Sequence, residues 1–202
     1  MVPSEFYKPR KLAPTISFMP PKTIALVGLI GSGKTSIGRR LAKRLEMQFF
    51  DSDQEVEFSA GCSMREIYSV FGEKSLRDGE RRVIARLLDQ PPHVLATGGA
   101  SVLDKETQTL LKEKAITVWL NADLETLVTR VSRRTDRPLI QNGNQREVLE
   151  GLIEQCYPVY KESDIQVCTF DEATNSTVDR VIQSISEFVK DNYPNHYVLK
   201  SI

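Results

Sequence analysis

Short apolar runs alternate with longer segments in which apolar residues recur at helical spacing. The apolar runs lie at 23–27, 48–50, 94–96, 115–120 and 165–168, and each has the length of a buried strand. In the first helical segment, Ile37, Leu41 and Leu45 share one face. Because strands and helices alternate, the pattern predicts an α/β domain with a five-stranded parallel sheet and helices on both faces.

The remaining segments set the boundaries of this domain. Helices are predicted at 35–47, 54–90, 103–114, 123–131, 146–161 and 178–190, and the longest is expected to break near Gly61 and Gly72. The stretch 132–145 is polar and basic, which predicts a mobile loop. Residues 1–22 are rich in proline and predict a loose N-terminal extension, so the domain spans 23–191 and residues 192–202 form a poorly ordered tail.

Charge and cysteine content narrow the possible partners. The 27 basic and 27 acidic side chains balance, and no basic stripe is evident, which argues against a nucleic-acid partner. The three cysteines are odd in number and form no C-x-x-C pair, so neither a disulfide framework nor a zinc site is indicated. A reducing cytosol fits best, and no apolar run is long enough to cross a bilayer. We therefore expect a cytoplasmic protein with no membrane partner, and we expect it to be a monomer.

The sharpest motif is Gly28-Leu29-Ile30-Gly31-Ser32-Gly33-Lys34-Thr35, which matches the G-x-x-x-x-G-K-[ST] phosphate-binding loop in full. It lies between a predicted strand and a predicted helix, where glycines let backbone N–H groups surround phosphate oxygens. A dinucleotide-binding G-x-G-x-x-G pattern fails, because its last position holds Ser36. The expected ATP-binding residues here are Gly31, Ser32, Gly33, Lys34, Thr35 and Ser36. Lys34 can reach the β- and γ-phosphates, and the Thr35 hydroxyl can bind Mg²⁺.

Two aspartates follow the second predicted strand. Asp51 and Asp53 lie at its carboxyl end, where open parallel sheets bind ligands. Because they are two residues apart in an extended chain, both carboxylates would project to the same side. One can hold Mg²⁺ through water and the other can orient or deprotonate a substrate hydroxyl. The alternative is that the pair only begins a helix, with Ser52 or Asp53 as its N-cap.

Further motifs follow the phosphate-binding loop in a fixed order. They are Asp51-Ser52-Asp53-x-x-Val56-Glu57, Phe71-Gly72-Glu73, Leu76-Arg77-x-x-Glu80, Ala96-Thr97-Gly98-Gly99 and Arg137-Pro138-Leu139. The ordered set resembles the shikimate kinases over most of the chain. That resemblance implies a three-layer P-loop kinase fold, similar to the nucleoside monophosphate kinases, with a mobile lid at 132–145. It also implies transfer of the ATP γ-phosphoryl group to the 3-hydroxyl of shikimate, with Mg²⁺ as cofactor.

The resemblance implies a role for individual residues. Lys34, Asp53 and Arg137 would be catalytic, with Asp53 acting as base or positioner at the shikimate hydroxyls. Arg77 would pair with the substrate carboxylate, although its spacing from Glu80 also fits a helix-surface ion pair. Gly98 and Gly99 would lie at the substrate ring, Arg130 near the adenine and Arg137 over the ATP phosphates. Thr35 and Asp51 would serve as ligands of Mg²⁺.

Two positions depart from the family pattern. Ala100 stands where the family usually has a third glycine, and Cys156 stands where it has a carboxylate-binding arginine, two residues before Pro158-x-Tyr160. A neutral thiol cannot replace a guanidinium. Three accounts remain open: Arg77 binds the carboxylate alone, another arginine (Arg146 or one from the lid) fills the space, or the protein has lost or changed its substrate.

Two other functions stay open on the sequence. The first is another small-molecule P-loop kinase, acting on gluconate or a nucleoside monophosphate. The second is a non-catalytic shikimate-kinase-like protein that binds nucleotide, for which Cys156 and Ala100 are the support.

Overall fold

The computed structural model describes residues 17–133 and 145–198. Its strands are β1 (Ser17–Phe18), β2 (Thr23–Val27), β3 (Phe49–Asp51), β4 (Val94–Ala96), β5 (Ala115–Ala122), β6 (Ile165–Thr169) and β7 (Tyr197–Val198). Its α-helices are α1 (Lys34–Leu45), α2 (Ser52–Ala60), α3 (Met64–Leu88), α4 (Lys105–Lys114), α5 (Leu124–Ser132), α6 (Gln145–Tyr160) and α7 (Thr174–Asn192). The five predicted strands and all predicted helical segments are confirmed, with boundaries that shift by a few residues.

The central sheet is parallel and has the strand order β3-β4-β2-β5-β6. The chain starts in the middle at β2, adds β3 and β4 on one side, and then crosses to β5 and β6 on the other. β2 is therefore the point at which the direction of winding reverses. Loops at the carboxyl ends of strands at such a point leave a crevice for ligands.

Helices cover both faces of the sheet because successive residues of β2 point to opposite sides. Ile24 and Leu26 pack in a buried cluster with α1 and α7, while Ala25 and Val27 pack in a second cluster with α3, α4, α5 and α6. All five residues of β2 are buried. This arrangement confirms the predicted three-layer α/β architecture.

The long helical segment breaks where its glycines predict. α2 ends at Gly61, which has a positive φ of 69°, and α3 begins with Ser63 and Glu66 in a reciprocal capping box. Gly72 interrupts α3 with a φ of 78°, a left-handed conformation that a residue with a Cβ rarely adopts. The second half of α3, after this kink, carries Arg77 and Glu80.

The two ends of the described chain pair with each other. Ser17 lies opposite Val198 and Phe18 opposite Tyr197, in an antiparallel ladder. Two-residue strands show no periodicity, so sequence reasoning had no signal for this pairing. The division into 1–22, 23–191 and 192–202 stays a prediction, and residues 1–16 and 199–202 lie outside the described residues. Among the helices of 17–133 and 145–198, none combines the length and the apolar character needed to span a membrane.

Candidate active site

The phosphate-binding loop connects β2 to α1 in the predicted strand–loop–helix order. Gly33 precedes the helix with a φ of 99°, and a Cβ there would lie 3.1 Å from Cδ1 of Ile37. Lys34 begins the helix, and its Nζ donates hydrogen bonds of 2.6 Å to the Gly28 carbonyl and 3.0 Å to the Leu29 carbonyl. The ammonium group therefore lies over the loop and beside the amino end of α1, where both charge and dipole favour an anion.

Thr35 and Asp51 bring oxygen ligands together beside this loop. The Thr35 hydroxyl donates to Oδ2 of Asp51 at 2.8 Å, while Oδ1 of Asp51 accepts from the backbone N–H of Asp53 at 3.2 Å. Asp51 is thus the N-cap of α2, a role that the sequence suggested for Ser52 or Asp53 instead. The cap uses one carboxylate oxygen and leaves the other facing Thr35.

These oxygens fit a hard divalent cation that also binds phosphate. They line a cavity of about 50 Å³ whose walls are Ile30, Gly31, Gly33, Lys34, Thr35, Asp51, Asp53, Thr97 and Gly99. In the described part of the chain, no group of three or more His, Cys, Asp or Glu side chains could hold a metal ion by itself. A hydroxyl and a carboxylate beside a phosphate-binding loop suit Mg²⁺, which keeps several waters and takes phosphate oxygens as further ligands.

A second cluster forms around Gly98, at the carboxyl end of β4. A Cβ at this position would lie 2.7 Å from Oδ1 of Asp53 and 2.9 Å from Oε1 of Glu80. Glu80 in turn accepts a hydrogen bond of 2.8 Å from Arg77, whose other nitrogen lies 3.3 Å from Glu73. The absence of a side chain at Gly98 therefore lets two carboxylates from α2 and α3 approach the same loop, with a guanidinium behind them.

Burial and charge act against each other at Glu80. Its side chain is 4% exposed, and burial raises its pKa, while the hydrogen bond from Arg77 opposes that rise. The nearby charge of Asp53 adds to the increase. The pKa of Arg77 is raised by its carboxylate partners despite partial burial. Sequence reasoning noted Glu80 in a family motif and in a possible ion pair with Arg77, but it did not include Glu80 among the site residues.

The loop that carries Gly98 is held by side chains from three directions. The Gly98 N–H donates to the Ser52 hydroxyl at 2.9 Å, and the Ser101 hydroxyl donates to the Gly98 carbonyl at 2.7 Å. The Tyr160 phenol donates to the Gly99 carbonyl. Ala100 has a φ of −95° and a ψ of −5°, a right-handed conformation open to any L residue, so the backbone here does not require the family's third glycine.

Cys156 lies close to this cluster on α6. The thiol is fully buried, and burial raises its pKa. A hydrogen bond with Tyr160 and the positive charges of Arg77 and Lys34 oppose the rise. Because burial outweighs these influences, the pKa of the thiol stays raised and the thiol is neutral.

Arg146 is directed elsewhere. It pairs with Glu125 and lies 3.6 Å from Glu150, and all three side chains are substantially exposed. The conformation therefore does not support the account in which Arg146 takes the place of the family arginine.

Arg130 joins the phosphate-binding loop to the loop after β6. Its guanidinium donates to the carbonyls of Gly31 at 3.2 Å and Ser32 at 3.3 Å, and to the Phe170 carbonyl at 2.5 Å. Burial lowers its pKa. Arg130 thus lies against the phosphate-binding loop. Arg137 and most of the predicted lid, by contrast, lie outside the described residues.

The chain is similar to one family of known proteins. The family model described as "Shikimate kinase" matches residues 30–188. The shikimate kinase of Caulobacter vibrioides strain NA1000 / CB15N is 51% identical over 82% of this chain and 83% of its own, and that of Paramagnetospirillum magneticum is 47% identical over 89% and 92%. A solved structure of shikimate kinase from Acinetobacter baumannii in complex with shikimate superposes with a TM-score of 0.80 at 31% identity, covering 86% of this chain and 96% of its own.

Proposed function

The chain belongs to the shikimate kinase family, and we propose that it transfers the γ-phosphoryl group of ATP to the 3-hydroxyl of shikimate, a step of chorismate and aromatic amino-acid biosynthesis. One observation carries this proposal: the phosphate-binding loop and the Asp53–Glu80–Arg77 cluster meet at the Gly98–Gly99 loop. A phosphate donor and a hydroxylated, negatively charged acceptor would therefore lie side by side.

At the donor end, the residues of the phosphate-binding loop would hold ATP. Backbone N–H groups of Gly31, Ser32 and Gly33, together with those of Thr35 and Ser36, would surround phosphate oxygens. Lys34 would leave the two carbonyls that it now contacts and pair with the β- and γ-phosphates. Arg130 would border the adenine, because it already bridges the P-loop and the Phe170 carbonyl. Arg137 is proposed to cover the phosphates on the strength of the family resemblance.

A divalent metal accompanies ATP in kinases, and we propose that it is Mg²⁺ here. When bound, the ion would neutralise charge that develops on the transferred phosphoryl group. Thr35 would bind it directly, and Asp51 would hold one of its waters. Both oxygens already face each other at 2.8 Å, so little rearrangement of the protein is needed.

At the acceptor end, Asp53 would orient the 3-hydroxyl and accept its proton. The hydroxyl oxygen forms a bond to the γ-phosphorus, the bond from that phosphorus to the β–γ bridging oxygen breaks, and ADP leaves. Arg77 would bind the substrate carboxylate, because its planar guanidinium suits two parallel hydrogen bonds. Gly98 and Gly99 would let the backbone approach the ring.

Cys156 bears on affinity more than on the reaction. A buried neutral thiol offers no charge to a carboxylate, so Arg77 would carry this contact alone among the described residues near it. The expected consequence is weak binding of shikimate with normal positioning of ATP.

Product identification tests the proposal directly. The chain would be incubated with Mg·ATP and shikimate, and the product examined by phosphorus and proton NMR. A new phosphate ester on the 3-position is expected. An ester at another hydroxyl would show that Asp53 does not orient the acceptor as proposed.

A non-catalytic relative that binds nucleotide is the second candidate, and the neutral Cys156 is the observation that favours it. It predicts ATP binding with no turnover of shikimate, gluconate or AMP. A panel of these three acceptors also separates shikimate kinase activity from the other small-molecule kinases. We further infer a monomer located in the cytoplasm, which size-exclusion chromatography and cell fractionation would test.

A further inference from the structure

The carboxyl-terminal turn of α6 reaches across to the loop after β4. The Tyr160 phenol donates a hydrogen bond to the Gly99 carbonyl, a residue 61 positions away in the chain. The Tyr160 side chain is 1% exposed, and its ring lies 6.0 Å from that of Trp119 and 6.2 Å from that of Tyr157. The phenol is therefore fixed by packing on all sides and has one principal acceptor on the backbone of the loop.

Gly99 lies between the phosphate-binding loop and the carboxylates that surround Gly98. A Cβ at Gly99 would lie 3.6 Å from the Ile30 backbone nitrogen and 3.8 Å from the Gly28 carbonyl, so its backbone packs directly on the phosphate-binding loop. The neighbouring Gly98 touches the Asp53 and Glu80 carboxylates. Ser52 and Ser101 hold Gly98, whereas Gly99 is held through its carbonyl by Tyr160.

We propose that Tyr160 is a positioning residue for the acceptor substrate, which it serves by holding the Gly98–Gly99 loop at the distance from Asp53 and Arg77 that the substrate requires. This inference rests on the proposed function, because it assumes that the acceptor binds at this loop. Burial and the neighbouring Cys156 and Tyr157 raise the pKa of the Tyr160 phenol, so it stays protonated and remains a hydrogen-bond donor at neutral pH.

The chain provides a matched control three residues earlier. The Tyr157 phenol also donates to a backbone carbonyl, that of Ala122 at the end of β5, and its ring also packs against Trp119. Both tyrosines lie on α6, and the Tyr157 hydrogen bond joins that helix to the end of β5, whereas the Tyr160 hydrogen bond joins it to the loop after β4. Only the Tyr160 hydrogen bond ends on the loop beside Asp53 and Glu80. Substituting the two tyrosines in turn therefore separates an effect on substrate positioning from an effect on protein stability.

The test compares Tyr160→Phe with Tyr157→Phe by steady-state kinetics and thermal unfolding. Each variant should lose a similar amount of stability, since each loses its hydrogen bond to a backbone carbonyl and keeps its ring. Tyr160→Phe should raise the KM for shikimate about three- to tenfold and change the KM for ATP by less than about twofold. Tyr157→Phe should leave both KM values within about twofold of the unaltered chain.

Equal KM values for shikimate in the two variants would overturn the proposal, and so would an equal rise in both KM values for Tyr160→Phe. If Tyr160→Phe does not fold, the proposal is tested instead by amide hydrogen exchange of the unaltered chain with and without shikimate. Shikimate should then protect the amides of 98–103 and of the last turn of α6 together, and protection of the loop alone would overturn the proposal. If the unaltered chain does not turn over shikimate, it is the proposed function that fails.

Discussion

The guanidinium of Arg77 lies 2.8 Å from the carboxylate of Glu80, on the face of α3 that meets the Gly98 loop. The two residues differ in exposure, since the side chain of Arg77 is 34% exposed and that of Glu80 only 4%. Glu80 is therefore a buried carboxylate whose ionised form is opposed by burial and supported by one cation. Such a pair adds little to stability, but it fixes the direction of the guanidinium.

Removing the charge of Glu80 should weaken substrate binding. Glu80→Gln is expected to raise the KM for shikimate about three- to tenfold, because Arg77 loses the partner that orients it. Glu73→Gln is the matched control: Glu73 is exposed and lies 3.3 Å from the same guanidinium, so its removal should have a much smaller effect. Equal effects of the two substitutions on the KM for shikimate would contradict this assignment.

The same substitution should change how stability depends on pH. Because the pKa of Glu80 is raised in the folded protein, its contribution to stability is present below the unfolded pKa of about 4.5 and is lost as the pH rises through the folded pKa. The melting temperature of Glu80→Gln relative to the unaltered chain should therefore increase between pH 4.5 and pH 7. If the melting temperatures of the two proteins change equally between pH 4.5 and pH 7, burial does not raise the pKa of Glu80.

Cys156 gives the sharpest prediction about affinity. If position 156 faces the substrate carboxylate, Cys156→Arg should lower the KM for shikimate about 10- to 100-fold, the value of one charge-assisted hydrogen bond of roughly 1.5–3 kcal/mol. The KM for ATP should not change. Cys156→Met, which adds length without charge, should not lower the KM. A folded Cys156→Arg protein with an unaltered KM for shikimate would place this residue outside the carboxylate subsite.

The Thr35–Asp51 pair predicts a change in metal dependence. Asp51→Asn keeps an oxygen that can cap α2 but removes the charge, so the helix should persist while the magnesium concentration at half-maximal rate rises about tenfold or more. Thr35→Ser keeps the hydroxyl and should have a smaller effect. The measurement is a titration of magnesium at fixed ATP, and an unchanged midpoint for Asp51→Asn would argue against a metal at this position.

Because of His93, the folded protein should become less stable in mild acid, although His93 has no role in the active site. The imidazole is buried at the start of β4, where its Nδ1 lies 3.0 Å from the Pro91 carbonyl, and burial lowers its pKa. The unfolded chain then takes up a proton at about pH 6.5 that the folded chain refuses, so stability falls as the pH drops below that value, by at most about 1.4 kcal/mol per pH unit.

Chemical denaturation between pH 7.5 and 5.5 checks this expectation. The unaltered chain should lose more stability over the range than His93→Gln, whatever the difference between them at pH 7.5. If the free energies of unfolding of the two proteins change equally with pH, the pKa of His93 is not lowered in the folded protein. The KM values of His93→Gln at pH 7.5 should be unchanged, because His93 lies at the opposite end of β4 from Gly98.

Local parts of the site could be predicted from the sequence, and parts assembled across the fold could not. The loop around Lys34 and Thr35 is fixed by eight consecutive residues, so its spacing alone indicated phosphate binding. The approach of Glu80 to Asp53 depends on the packing that brings α2 and α3 to the loop at Gly98. Nothing in the Arg77–Glu80 spacing distinguishes this buried pair from a surface one.

The link between Tyr160 and Gly99 was hidden for a similar reason. Its hydrogen bond joins residues 61 positions apart, and the aromatic residue had been noted only as part of the Pro158-x-Tyr160 motif. The pairing of β1 with β7 likewise depends on both ends of the chain meeting in space. By contrast, the order of strands and helices followed from short-range periodicity, which is why it was predicted well.

A coupled assay of ADP release with Mg·ATP, with and without shikimate over a wide concentration range, tests the central claim most directly. The account predicts saturable turnover that depends on shikimate, with a high KM because the thiol of Cys156 contributes no charge. The absence of turnover at every shikimate concentration, from protein shown to bind ATP, would contradict the assignment.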